Sequence, residues 1–122
     1  MKVQILGIEY DLSIVSKAKD KEICSCDGYC KFFEKRIVIN DFINDECWNK
    51  ESKESIIVRQ SHCIRHELIH AFLFESGLYG ECRIDESWAL SEEIVDWMAI
   101  QMPKIMKVSE DINKQINNIR RK

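Results

Sequence analysis

The first forty residues alternate between short apolar runs and polar connections, which is the pattern of β-strands. The runs lie at 3–8, 10–15, 29–33 and 36–40, and the last of them, Arg-Ile-Val-Ile-Asn, is short and rich in β-branched residues. Gly7 lies within the first run, shortly before the second begins, and predicts a turn or a bulge there. We therefore predict a small twisted sheet built from residues 1–40.

From about Lys53 the spacing of the apolar residues becomes that of a helix. Apolar side chains recur at helical intervals, at Ile56, Ile57, Ile64, Leu68 and Phe72. Gly77 ends the pattern, and glycine is favoured directly after the last residue of a helix. The predicted helix has roughly 23 residues and would be about 35 Å long.

After a predicted loop at 78–86, a second helix is expected from about Ser87 to Met102. Pro103 should end or kink this helix, because proline has no backbone N–H. The tail at 104–122 carries a narrow apolar stripe, which predicts a C-terminal helix packed on the body, with a dimer contact as the alternative. Residues 1–122 are thus expected to form one α+β domain.

The composition is that of a folded protein, with 45% hydrophobic and 32% charged residues. The net charge of −3 is unlike that of nucleic-acid binders, which more often have a basic excess. No apolar run approaches 18 residues and none resembles an export signal, so we expect a cytoplasmic protein without a membrane segment. The six cysteines should then be reduced.

The first predicted helix contains His66-Glu67-Leu68-Ile69-His70, an H-E-x-x-H pattern. Residues four apart lie on one helix face, about 6 Å apart along the axis, so both imidazoles can reach one ion at roughly 2.0–2.1 Å. Glu67 would lie beside the ion, as a general base for water that the metal activates. The alternative interpretation is a helix with two incidental histidines.

A zinc site of this kind needs a third protein ligand, and the second predicted helix offers one. Glu92 lies 22 positions after His70, which allows a loop and an antiparallel return. Glu93 is the rival ligand, although it points about 100° away from Glu92 on a helix. Asp96 could accept a hydrogen bond from a ligating imidazole and fix its tautomer. A solvated acidic helix face is the alternative for these carboxylates.

His62 lies on the same helix face as His66, one turn earlier. It is about 12 Å from His70 along the axis, so the three histidines cannot share one zinc ion. We therefore expect His62 at the helix surface or the edge of a cleft, and Cys63 as a small buried hydrophobe.

Three closely spaced cysteines, Cys24, Cys26 and Cys30, suggest a second metal site. Zinc-binding knuckles usually contain two C-x-x-C pairs, and no second pair is present in the sequence. We interpret the three as reduced thiols near a turn.

The segments around these motifs resemble small zinc metallopeptidases encoded by phages and prophages. The similar residues are HELIHAFLFESGL at 66–78, SWA at 87–89 and EEIVDWMAIQMPK at 92–104, together with parts of 2–7 and 27–39. The resemblance covers most of residues 1–106. In its motifs this family is similar to the zincins in which a glutamate ligand follows the H-E-x-x-H helix, of which thermolysin is the best-known member. Asn often precedes that ligand, whereas this chain has Ser91.

This resemblance implies a minimal zincin-like fold: a twisted sheet, an active-site helix and a second ligand-bearing helix. It implies a Zn²⁺ cofactor bound by His66, His70 and Glu92, with Asp96 behind the ligands and Glu67 as the catalytic base. The implied activity is hydrolysis of a peptide or protein substrate in the cytosol of a bacterium or an infected host. We expect a monomer without nucleic-acid or membrane partners.

A zincin-like binding or regulatory module of a phage or prophage, with little or no hydrolysis, is the second hypothesis. The intact Glu67 argues against it, because binding alone needs no general base. A purely structural zinc is a third, and it would usually have four protein ligands.

The motifs do not identify the group that stabilises the oxyanion or the strand that binds the substrate. The group that stabilises the oxyanion could be Tyr79, Arg83, His62 or Tyr29, and the sequence does not choose between them. By analogy with zincins, the substrate would bind along an edge strand, which we assign to Arg36–Asn40 as the last strand before the helix.

Overall fold

The computed structural model describes residues 1–81 and 91–121. These form four strands, β1 (Lys2–Ile5), β2 (Ile8–Val15), β3 (Gly28–Lys31) and β4 (Arg36–Asn40), and three helices, α1 (Lys53–Glu75), α2 (Leu78–Glu81) and α3 (Glu92–Arg120). Short 3₁₀ turns lie at Glu22–Ser25, Phe42–Asn44 and Glu46–Trp48. The predicted α+β class is confirmed.

The four strands form one mixed sheet in the order β1-β2-β4-β3. β1 and β2 are antiparallel and joined by a tight turn, where Gly7 has a φ of 83° that few residues other than glycine adopt. β4 pairs in parallel with β2 on one side and antiparallel with β3 on the other.

The assignment of Arg36–Asn40 as the substrate edge is therefore wrong. Hydrogen bonds to both neighbours make β4 an interior strand, and Ile37 to Asn40 are buried. The physical reason is that β3 pairs with the side of β4 that faces away from β2, which the β-branched run of β4 alone does not reveal. The sheet ends instead at β1 and β3.

Helix α1 packs across the sheet and forms the main core with it. The buried residues of this core are Ile5, Tyr10, Leu12, Ile37, Ile39, Phe42, Cys63 and Ala71. The helix begins after Ser52, whose hydroxyl accepts a hydrogen bond from the backbone N–H of Ser55 at 3.1 Å, and Gly77 follows its end with a φ of 87°. Near its end, Glu75 accepts a hydrogen bond from the hydroxyl of Tyr10 at 2.7 Å. These contacts fix α1, and with it the H-E-x-x-H motif, over the sheet.

Pro103 was predicted to end or kink the helix that carries it, and the first alternative is wrong because α3 continues through this residue. Proline cannot donate to the carbonyl four residues earlier, which belongs to the fully buried Ala99. Arg65 of α1 donates to this oxygen from Nε at 2.7 Å, and so replaces the missing backbone donor. The proposed start of this helix at Ser87 lies outside the described residues.

Residues 104–120 are helical, as predicted, but as part of α3. Ile105, Ile112 and Ile116 are 54%, 50% and 41% exposed, so the predicted packing of the tail on the body is wrong for them. A helix that does not break at Pro103 cannot turn back over the sheet.

Over 1–81 and 91–121, no helix combines the length and the apolar character that crossing a membrane requires.

Candidate metal centre

Three potential ligand atoms converge between α1 and α3. Nε2 of His66 lies 2.9 Å from Oε2 of Glu92, and Nε2 of His70 lies 3.1 Å from both of these atoms. Four ligands placed tetrahedrally at 2.0–2.1 Å from a zinc ion are about 3.3–3.4 Å apart. The triangle is only slightly smaller than one face of such a tetrahedron, so two imidazoles and one carboxylate in this arrangement fit a zinc ion.

The position of Glu92 follows from the start of α3. The hydroxyl of Ser91 accepts a hydrogen bond from the N–H of Ile94 at 3.4 Å, and the carbonyl of Ser91 accepts one from Val95 at 3.1 Å. Glu92 is therefore the first helical residue, where a carboxylate also interacts favourably with the helix dipole. The structure places Glu92, and not its rival Glu93, beside the two histidines.

Asp96 lies one turn further along α3 and contacts the other nitrogen of His66. Its Oδ1 is 3.0 Å from Nδ1 of His66 and 2.6 Å from Nε2 of His62. Burial raises the pKa of Asp96, but the contacts with His62 and His66 outweigh it and keep the pKa below its usual value. An ionised Asp96 accepts the Nδ1 proton of His66 and leaves the Nε2 lone pair facing Glu92 and His70.

The proposed base Glu67 follows His66 on α1 and is buried, with 7% of its surface exposed. Burial raises its pKa to about 7; the neighbouring His66 opposes this rise and Glu92 adds to it. Close packing against β3 explains part of this burial, because a Cβ on Gly28 would lie 3.3 Å from Cγ of Glu67. Glycine at this position lets the strand approach the carboxylate.

His70 is the deeper of the two motif histidines. Burial is the main reason why its pKa lies below the usual value, since a charged imidazole loses hydration there. The neutral ring is the form that offers a lone pair to a metal ion.

An open cleft of about 690 Å³ leads to these residues. One wall is formed by residues 26–30 at the edge strand β3, and the opposite wall by the α1 face that carries the motif. Cys26, Cys30 and Cys63 also line it, and burial raises the pKa of each thiol. The cysteines of the described ranges are free thiols.

The four oxyanion candidates have different surroundings. Tyr29 donates its hydroxyl proton to Asp20 at 2.6 Å, whereas Tyr79 packs against Phe32 with ring centres 4.9 Å apart. Both tyrosines and His62 line the cleft, and Arg83 lies outside the described residues.

The sequence interpretation missed the surroundings of His62. Arg59 forms an ion pair with Asp27 of the β3 wall, and its Nη1 lies 3.5 Å from Nδ1 of His62. The available signal was the spacing: His62 is four residues before His66, and Asp96 is four after Glu92.

Comparison of the chain with protein-family models, with curated proteins and with solved structures gives no match.

Proposed function

We propose that this protein is a small zinc-dependent peptidase with a zincin-like fold, of the kind that phages and prophages encode. The observation that carries the proposal is the convergence of His66, His70 and Glu92 at 2.9–3.1 Å in an open cleft. The buried carboxylate of Glu67 in the same cleft supplies the base that hydrolysis needs.

A zinc ion at this centre would polarise the scissile carbonyl and make an attacking water molecule more acidic. Glu67 accepts a proton from that water molecule while the oxygen of the water bonds to the carbonyl carbon. Glu67 then donates the proton to the amide nitrogen as the C–N bond breaks. The products are a carboxylic acid and an amine, which become a carboxylate and an ammonium ion once the acid transfers its proton to the amine, and Glu67 ends in its starting form.

The edge strand β3 is the proposed binding surface for the substrate backbone. The carbonyl of Asp27 accepts a hydrogen bond from Asn40 at 2.9 Å, so the alternating antiparallel pattern directs the polar groups of Gly28 and Cys30 away from β4. An extended peptide that pairs with these groups would lie along the cleft beside Glu67.

The test compares wild type with Glu67→Gln, both loaded with zinc and incubated with a diverse peptide library that is read by mass spectrometry. The variant should keep about one zinc per chain and lose on the order of 10²–10⁴-fold in cleavage rate, because only the proton transfer is removed. Glu93→Gln, an exposed glutamate outside the donor triangle, is the matched control and should cleave as wild type does.

Equal cleavage by wild type and Glu67→Gln would overturn the proposal. Zinc-loaded wild type without cleavage of any peptide would instead favour the binding or regulatory module.

A further inference from the structure

Histidines and carboxylates alternate along the contact between α1 and α3. Glu92 lies between His70 and His66, and Asp96 lies between His66 and His62. The residue numbers fall along α1 as they rise along α3, so the two helices are antiparallel here. A step of four residues on each helix therefore converts the donor set His70, His66, Glu92 into the set His66, His62, Asp96.

We propose that this second set is an alternative site for a divalent metal ion. Oδ1 of Asp96 lies 2.6 Å from Nε2 of His62 and 3.0 Å from Nδ1 of His66, and the three donor atoms lie within 4.8 Å of one another. Two imidazole nitrogens and a carboxylate oxygen suit zinc and cobalt, as in the first site.

The two sites share His66, and this makes them mutually exclusive. A neutral imidazole has one nitrogen with a free lone pair and one that carries a proton. The first site needs the lone pair on Nε2, whereas the second needs it on Nδ1. One ion per chain is therefore bound in one of two positions, a helical turn apart.

The second site should bind the ion more weakly. The guanidinium of Arg59 lies 3.5 Å from the far nitrogen of His62, and its positive charge disfavours a cation nearby, although Asp27 offsets part of it. The distances in the second set, 2.6 and 3.0 Å, are also less even than those in the first. The ion should thus occupy the second site when the first is impaired.

The test is a cobalt titration that follows ligand-field absorption, with bound cobalt measured after gel filtration. In His70→Ala/Glu92→Ala only the second set is intact, and we expect one Co²⁺ per chain with an affinity on the order of 10–10³-fold below wild type. Adding His62→Ala should abolish binding, whereas adding Ser61→Ala on the same turn of α1 should not.

A folded double variant that binds no cobalt, or a triple variant with His62→Ala that still binds it, would overturn the second site. His70 is buried, so Glu92→Gln, at a side chain that is 72% exposed, serves if the double variant does not fold. Addition of His62→Ala to Glu92→Gln should then lower cobalt affinity at least tenfold, and an unchanged affinity would contradict the proposal. These outcomes do not depend on whether the wild type hydrolyses peptides.

Discussion

Gly28 is the residue at which the edge strand approaches the proposed base most closely. A Cβ there would lie 3.1 Å from the carbonyl oxygen of Val38 and 3.3 Å from Cγ of Glu67. Gly28→Ala should therefore displace the strand or the carboxylate, lowering the free energy of unfolding by about 1–3 kcal/mol and reducing kcat. Urea unfolding and steady-state kinetics on the cleaved peptide measure the two effects.

Gly80→Ala is the matched control, because no described atom lies within 4 Å of the added Cβ. Alanine in this short helix should be neutral or raise the free energy of unfolding by roughly 0.5–1 kcal/mol. Equal changes in unfolding free energy and kcat for the two substitutions would show that the site has room for a Cβ at position 28.

Asp45 is a buried carboxylate that directly precedes the 3₁₀ turn at Glu46–Trp48. Burial raises its pKa, but hydrogen bonds from Asn40 at 2.8 Å and Lys17 at 2.9 Å outweigh this and lower the pKa to about 2. An unfolded aspartate has a pKa near 3.9, so the folded state binds fewer protons between these values. The stabilisation from Asp45 should be complete above about pH 4 and lost as the pH falls to about 2.

The measurement is the free energy of unfolding of wild type and Asp45→Asn from pH 2 to 7. The difference between them should be largest near neutral pH and shrink below about pH 4. Asp111→Asn, in an exposed pair with Lys107, should have little effect at any pH. A difference for Asp45→Asn that stays constant with pH would contradict this assignment.

The hydrogen bond from Arg65 to the carbonyl of Ala99 joins α1 and α3, the two helices that carry the proposed metal ligands. Arg65→Met should leave this buried oxygen without a donor and cost about 1–3 kcal/mol in unfolding free energy. In a Pro103→Ala background the backbone N–H of residue 103 can donate instead, so the same substitution should cost less.

A double-mutant cycle by urea unfolding tests this compensation. The account predicts a coupling of about 1 kcal/mol or more between the two positions. Arg65→Met with the same cost in both backgrounds would show that Arg65 does not replace the missing donor.

Proline substitutions separate the edge strand from the interior strand. Cys30→Pro removes an N–H that faces away from β4, so the protein should fold and bind zinc but bind the peptide more weakly. Val38→Pro interrupts β4, which is paired on both sides, and should destabilise the fold itself. Peptide titration in the Glu67→Gln background, with circular dichroism and zinc content, distinguishes these effects.

Cys30→Ala controls for the loss of the thiol and should bind the peptide as well as its parent does. If Cys30→Pro also binds it equally well, β3 is not the substrate edge.

Across the described residues, local pattern predicted the strands and α1 well, but the predicted loop at 78–86 is wrong at its start, where the short helix α2 spans Leu78–Glu81. Short apolar runs marked the strands, and helical spacing between Lys53 and Gly77 matched α1 at Lys53–Glu75 within two residues. Glu92 lies beside His66 and His70, as a loop and an antiparallel return over 22 positions allow, and its role as a metal ligand stays a prediction.

Features that depend on contacts between distant elements were not predictable in this way. The strand run at Arg36–Asn40 was visible, but its interior position depends on β3 pairing beyond it. Pro103 was expected to end or kink a helix. The donor that compensates for its missing N–H, Arg65, lies on another helix and is not visible in the local sequence. The contact of His62 with Asp96 likewise depends on how α1 and α3 are rotated against each other.

The central claim is that two histidines and a carboxylate, without sulfur, bind the metal ion. X-ray absorption at the zinc edge of the purified, zinc-loaded protein tests it most directly, because zinc–sulfur bonds are near 2.3 Å and zinc–nitrogen or zinc–oxygen bonds near 2.0–2.1 Å. We predict one zinc per chain with only nitrogen and oxygen ligands near 2.0–2.1 Å and two of them imidazoles. Sulfur ligands at 2.3 Å would place the ion on cysteines such as Cys24, Cys26 and Cys30, and would contradict the account.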